Sequence, residues 1–142
     1  MIRAFLDASV LSAASYSSSG ASRELIRLAF QGRVQLVISD DVVEEVERNL
    51  AVKHPETLGL FHRSIDLMPF EIVTVTSKDI KQAATYTEIK DAPIVAAAQK
   101  AQVDYLTSLD RRHLVGVAAV ARGSGLKIVL PHELLEIVRT QP

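Results

Sequence analysis

The sequence predicts an α/β fold: three layers, α/β/α, around a central and mostly parallel sheet. Three observations predict it. Short apolar runs alternate with longer amphipathic ones along the chain, and such alternation builds βαβ units whose helices cover both faces of a parallel sheet. The chain has 142 residues, 48% of them hydrophobic and 23% charged, which suffices for a core without staples. No internal repeat or linker interrupts it, so residues 1–142 are expected to form a single domain.

Residues 2–6, Ile-Arg-Ala-Phe-Leu, are apolar and stop at Asp7, which predicts a strand. The Ser-rich stretch 15–20 reads as a loop feeding a helix over 22–31, with Ser22 as its cap and Leu25, Ile26, Leu28, Ala29 and Phe30 as its apolar face. Residues 34–38 are brief and β-branched, a second strand. Asp41 followed by Glu44 fits a capping box ahead of Val42, Val43, Val46 and Leu50, a second helix. His54-Pro55 opens a further helical stretch, with proline in the first turn where its missing N–H does no harm. Residues 70–76 predict a strand, and Ser77 begins a helix reaching about Tyr86. Asp91 opens an Ala-rich buried helix over 91–99, followed by a strand over 103–107 and a turn over 108–112. A last strand at 127–130 and a helix at 131–139 close the chain.

Composition excludes several classes. Cysteine is absent, which removes disulfides, thiolate nucleophiles and Cys-based metal sites. Tryptophan is also absent and aromatics make up 5%, too few for an extended base-stacking platform. Sixteen basic residues face seventeen acidic ones, for a net charge of −1, so net charge does not hold a polyanion here. No apolar run approaches the roughly 18 residues of a membrane span. The N-terminal run turns polar at Asp7, too early for a signal peptide. A cytoplasmic protein is the expectation.

Parallel sheets hold ligands beyond the carboxyl ends of their strands. Asp7 ends the first strand, Asp110 follows the strand at 103–107, Asp91 opens a helix, and Glu44 and Glu45 lie in the first turns of the helix after the second strand. The topology brings these places to one rim. Gathered carboxylates oppose each other's ionisation, and a divalent cation such as Mg²⁺ or Mn²⁺ relieves that repulsion. Each residue also has a plainer role open to it. Asp7 can merely end a strand, Asp91 can be an N-cap, Asp110 a turn residue, and Glu44, Glu45 and Glu47 a solvated helix face. The position of Glu45 next to Val46 aims it along the core edge better than Glu44. His54, His62, His113 and His132 are scattered without ligand spacing, and read as surface or cap residues.

Four segments in order resemble the PIN-domain ribonucleases, in particular their VapC-like toxin branch. They are 5–11 (Phe-Leu-Asp-Ala-Ser-Val-Leu), 39–50 (Ser-Asp-Asp-Val-Val-Glu-Glu-Val-Glu-Arg-Asn-Leu), 90–98 (Lys-Asp-Ala-Pro-Ile-Val-Ala-Ala-Ala) and 101–110 (Ala-Gln-Val-Asp-Tyr-Leu-Thr-Ser-Leu-Asp). The resemblance spans roughly residues 2 to 130 and implies an endoribonuclease that cleaves single-stranded RNA by Mg²⁺- or Mn²⁺-activated water. It implies catalytic and metal-binding roles for Asp7, Glu45, Asp91 and Asp110, with Glu44 as the other register, and supporting roles for Ser9 and Ser108. Asp104 matches a frequent acid but enters a strand, where a structural role is expected. Arg48, Lys53, Arg111 and Arg112 are candidates for phosphate contacts. A protein antitoxin covering the acidic cleft and a homodimer are further implications. The apolar helices at 22–31 and 42–50 could supply the dimer interface.

Two other classes stay open on the sequence. An Asp-dependent phosphatase-like hydrolase would use Asp7 as nucleophile, but it wants a second Asp where Ser9 stands. A catalytically inactive PIN-like binding module would keep the fold without the metal.

Overall fold

The computed structural model describes residues 1–17 and 20–141. Five strands, β1 (Arg3–Leu6), β2 (Gln35–Ser39), β3 (Phe70–Val73), β4 (Tyr105–Thr107) and β5 (Lys127–Val129), form one sheet in the order β3-β2-β1-β4-β5. Every pairing is parallel. Eight α-helices are described: α1 (Ala8–Tyr16), α2 (Ala21–Phe30), α3 (Asp40–Lys53), α4 (Leu58–Ile65), α5 (Ser77–Ala83), α6 (Ala92–Lys100), α7 (Ala118–Ser124) and α8 (Pro131–Arg139). Helices α1, α2, α3 and α8 pack against one another, as do α5 and α6, and right-handed crossovers set the two groups on opposite faces of the sheet. The expected three-layer α/β architecture is therefore the observed one.

The central strand β1 explains the layering. Ala4, Phe5 and Leu6 are all fully buried, as a strand covered on both faces requires. Val37 and Leu106 flank Phe5 on the neighbouring strands. The apolar stripes of α2 (Leu25, Ile26, Leu28, Ala29) and α3 (Val42, Val46, Leu50) belong to this same core. These residues are spent on the core, while Phe30 at the end of α2 stays 60% exposed. No described helix is long and apolar enough to cross a membrane.

Side chains that bond to the backbone set the element ends, and here the structure trims the sequence reading. Strand β3 stops at Val73 because Thr76 and Asp79 form a capping box for α5: the Asp79 N–H donates to the Thr76 hydroxyl (3.2 Å) and the Thr76 N–H to the Asp79 carboxylate (2.9 Å). Strand β5 stops at Val129 because the Leu130 N–H donates to Glu133 (2.9 Å). Strand β4 starts at Tyr105, since the Asp104 carboxylate accepts the Arg3 N–H (2.8 Å); its role is structural, as expected. The cap of α3 is Ser39, whose hydroxyl accepts the Val42 N–H (3.2 Å), and not the Asp41–Glu44 box.

Two helices went unforeseen. Helix α1 begins at once after β1 and takes in Ser15, so the predicted loop at 15–20 is helical at its start; residues 18 and 19 of it lie outside the described ones. Helix α7 is short and ends on Gly125, at φ 74°, the left-handed stop that glycine adopts without strain. Gly123 within α7 lies against Tyr86, so closely that a Cβ there would come within 2.5 Å of the Tyr86 side chain.

Candidate active site

The strand order reverses between β1 and β4, the switch point at which open α/β sheets bind ligands. Both strands deliver a polar residue at this point. Leu6 pairs with Thr107, and the next residues are Asp7 and Ser108. The Asp7 N–H donates to the Thr107 carbonyl (3.2 Å). The Ser108 hydroxyl donates to one Asp7 carboxylate oxygen and the Ser9 hydroxyl to the other. Asp7 is also the N-cap of α1, accepting the Val10 N–H at 3.2 Å. One carboxylate thus closes a strand, caps a helix and is held from both sides. Burial raises its pKa, against the lowering effect of Ser108, Ser9 and Val10.

Asp91 differs from its sequence reading. It stands ahead of α6 in a short 3₁₀ turn (Ile89–Asp91), and its side chain caps nothing. It is buried, with 8% of its surface exposed, and its Oδ2 has no hydrogen-bond partner. Burial raises its pKa first; the charges of Asp110 and Asp7 raise it further, while Lys90 and His113 oppose the rise.

Asp110 is held by a turn. The N–H groups of Arg112 (3.0 Å) and His113 (2.9 Å) donate to its Oδ1, and the His113 Nδ1 lies 3.2 Å from its Oδ2. Desolvation pulls its pKa upward, but these hydrogen bonds prevail and lower it. Ligand atoms of Asp91, Asp110 and His113 lie within 4.8 Å of one another, close enough to share one cation. The sequence reading set His113 aside with the other histidines. Its position three residues after Asp110 in a turn was the only signal of this partnership.

Glu45 is half-buried on α3 and faces this cluster. Its pKa is raised by burial and then by the charges of Asp7 and Asp91, with Arg48 and Lys90 opposing. Glu44 is exposed, so the register of α3 turns Glu45 and not Glu44 to the rim. Of the candidate cations, Arg48 lies near Glu45, Lys53 and Arg112 line two different hollows, and Arg111 is exposed without a hydrogen bond or ion pair among the described residues. Lys90, beside Asp91, was not foreseen.

Residues 3–112 match the PIN domain family. The chain belongs to that family. Solved structures agree on the fold of this PIN domain. A toxin–antitoxin complex from Klebsiella pneumoniae is 17% identical with a TM-score of 0.63, over 90% of this chain and 97% of that one. VapBC2 from Rickettsia felis, bound to a DNA fragment from its promoter, is 14% identical with a TM-score of 0.63, over 89% and 97%. VapC20 of Mycobacterium tuberculosis, a toxin that cleaves the sarcin–ricin loop, is 17% identical with a TM-score of 0.60, over 77% and 91%. No curated protein sequence matches the chain.

The electrostatics of this PIN domain predict an unusual pH response. Asp7, Asp91 and Glu45 all have raised pKa values, from ordinary ones of 3.8, 3.8 and 4.5. The folded state therefore binds protons that the unfolded state releases, and stability falls as pH rises through the raised values. In chelator, the melting temperature is expected to rise as the pH is lowered from neutral toward the ordinary carboxylate values of 3.8 and 4.5. Asp110, Glu24 and Asp79 have lowered values and reverse the trend in stronger acid. Melting curves of wild type and Asp7→Asn check this: the variant should show a shallower rise, and equal slopes would refute the assignment.

Proposed function

We propose that this PIN domain is a metal-dependent endoribonuclease that hydrolyses single-stranded RNA, and that it serves as a toxin restrained by a protein antitoxin. The observation that carries this reading is the Asp91 Oδ2, a buried carboxylate oxygen without a hydrogen-bond donor beside Asp110 and Asp7. A charge buried that way is costly unless something positive meets it. The donor set of clustered carboxylate oxygens suits Mg²⁺ or Mn²⁺, so the residues fit such an ion. Asp91, Asp110 and His113, whose ligand atoms lie together, would hold it, with Asp7 joining from the switch point and Glu45 facing it. When bound, the ion would make water acidic and neutralise charge on the phosphate.

The chain's own groups do the rest. Ser9 and Ser108 fix both oxygens of Asp7, so its carboxylate meets the site in one orientation. The Arg112 and His113 N–H groups do the same for Asp110. Glu45, with its pKa raised, is placed to take a proton from the attacking water at its carboxylate. Arg48, Lys90 and Arg112 flank the cluster and would hold flanking phosphates.

The phosphatase-like alternative fares worse. Both Asp7 oxygens already accept hydrogen bonds, which blunts it as a nucleophile. The antitoxin proposal draws on the Klebsiella complex and the VapBC2 assembly, which share this fold.

Titration with Mn²⁺, read by thermal melting and by cleavage of a single-stranded RNA, tests the reading. Saturation to a hundredfold over Kd should stabilise the domain by about 2.7 kcal/mol, with cleavage appearing over the same range. No shift and no cleavage with either Mn²⁺ or Mg²⁺ would overturn it.

A further inference from the structure

A second hollow shares a wall with the acidic cluster, between α1 and α3. It has a cavity volume of about 230 Å³, and Ser9, Ser12, Tyr16, Asn49, Lys53 and His54 line it. Leu109 completes the wall: its N–H donates to the Ser9 hydroxyl (3.1 Å), the same hydroxyl that donates to Asp7. The hollow is thus one side chain away from the carboxylate at the switch point.

Its lining has the chemistry of a base pocket. The rings of Tyr16 and His54 stack at 4.4 Å between centroids, tilted by 23°, yet Tyr16 remains 50% exposed. Asn49 offers both a donor and an acceptor to the edge of a planar ligand. Ser12 adds a small side chain to the wall, its hydroxyl turned away from the open space. Lys53 adds a cation for a phosphate. An apolar peptide side chain would make no use of Asn49 or Lys53.

We propose that this hollow is a nucleobase subsite, which takes an unstacked base next to the phosphate at the acidic cluster, stacks it on the Tyr16–His54 pair and reads its edge through Asn49. Single-stranded RNA is recognised in this way, by splayed bases stacked on rings and bonded along their edges. Placing the base within the subsite rests on the ribonuclease reading only for the position of the scissile phosphate. A base preference immediately beside the cut follows.

Two measurements test it. In chelator, each nucleoside 5′-monophosphate is titrated into ¹⁵N-labelled protein while the Asn49 side-chain amide is followed by NMR. The amide is expected to move, and most for one base. In parallel, wild type, Tyr16→Ala and Tyr16→Phe are compared for binding and Mn²⁺-dependent cleavage of a random-sequence single-stranded RNA. Tyr16→Ala should bind roughly tenfold more weakly, the scale of one lost base–aromatic stack, and lose its base preference at the cut. Tyr16→Phe should keep both. An Asn49 amide that ignores every nucleotide, together with wild-type affinity in Tyr16→Ala, overturns the subsite and leaves the hollow to a protein partner. Movement of the amide in a protein that cleaves no RNA upholds the subsite and sinks the ribonuclease reading instead.

Discussion

Asp91→Asn is expected to lose more than about 100-fold of its RNA cleavage, since the loss of a residue that merely supports a metal ligand already costs 10–100-fold. In chelator the same variant is expected to melt a few degrees above wild type, a gain of about 1 kcal/mol. The two effects have one cause. Asp91 carries a buried charge with an unpartnered oxygen, and the neighbouring charges of Asp110 and Asp7 repel it. The amide has the same shape without the charge. Helix α6 loses nothing, because the Asp91 side chain caps no N–H in the first place. The stabilisation by Mn²⁺ should shrink or vanish in the variant. Melting with and without Mn²⁺, beside a cleavage assay, decides it. A variant that melts well below wild type would mean that Asp91 carries structural weight absent from its hydrogen bonds.

Much of this architecture was legible because hydrophobic period and strand-ending polar residues are local signals. The brief apolar runs at 2–6 and 34–38 read as buried strands, and parallel strands put the polar residues after them at one edge of the sheet. For Glu45 the signal was weaker: next to Val46, a core residue, it could look along the core edge, with Glu44 open as the other register. What escaped were features decided by tertiary contact. Helix α1 hides behind its serines, which favour caps and turns in isolation; in the fold, Ser15 satisfies its hydroxyl on the Leu11 carbonyl (2.8 Å) and Asp7 supplies the cap. Asp91 looked like a cap because Asp before an Ala-rich run usually is one. Its backbone instead enters a 3₁₀ turn, with its N–H on the Glu88 carbonyl (3.0 Å), and that turn frees the carboxylate for the cluster. His113 became visible only when the turn after Asp110 folded its ring back.

Phe5→Ala is expected to cost about 3–5 kcal/mol, the usual range for emptying a buried aromatic site. That is a large share of the roughly 5–15 kcal/mol by which a domain is stable, and it should lower the melting temperature by on the order of 10 °C or more. Phe5 is fully buried in the central strand, between Val37 on β2 and Leu106 on β4. The side chain leaves the sheet toward the covering helices, and the ladders on both sides hold the β1 backbone in place, so a cavity remains. In urea the midpoint should drop while the slope stays constant, because the surface exposed on unfolding changes little. The comparison with Asp91→Asn separates fold from chemistry. Asp7 lies two residues beyond Phe5 and depends on β1 and β4 keeping register, so Phe5→Ala should weaken Mn²⁺ binding and cleavage along with stability. In Asp91→Asn, activity falls while stability rises. If Phe5→Ala melted within about 2 °C of wild type, β1 would not be the strand that holds both the core and the acidic rim in place.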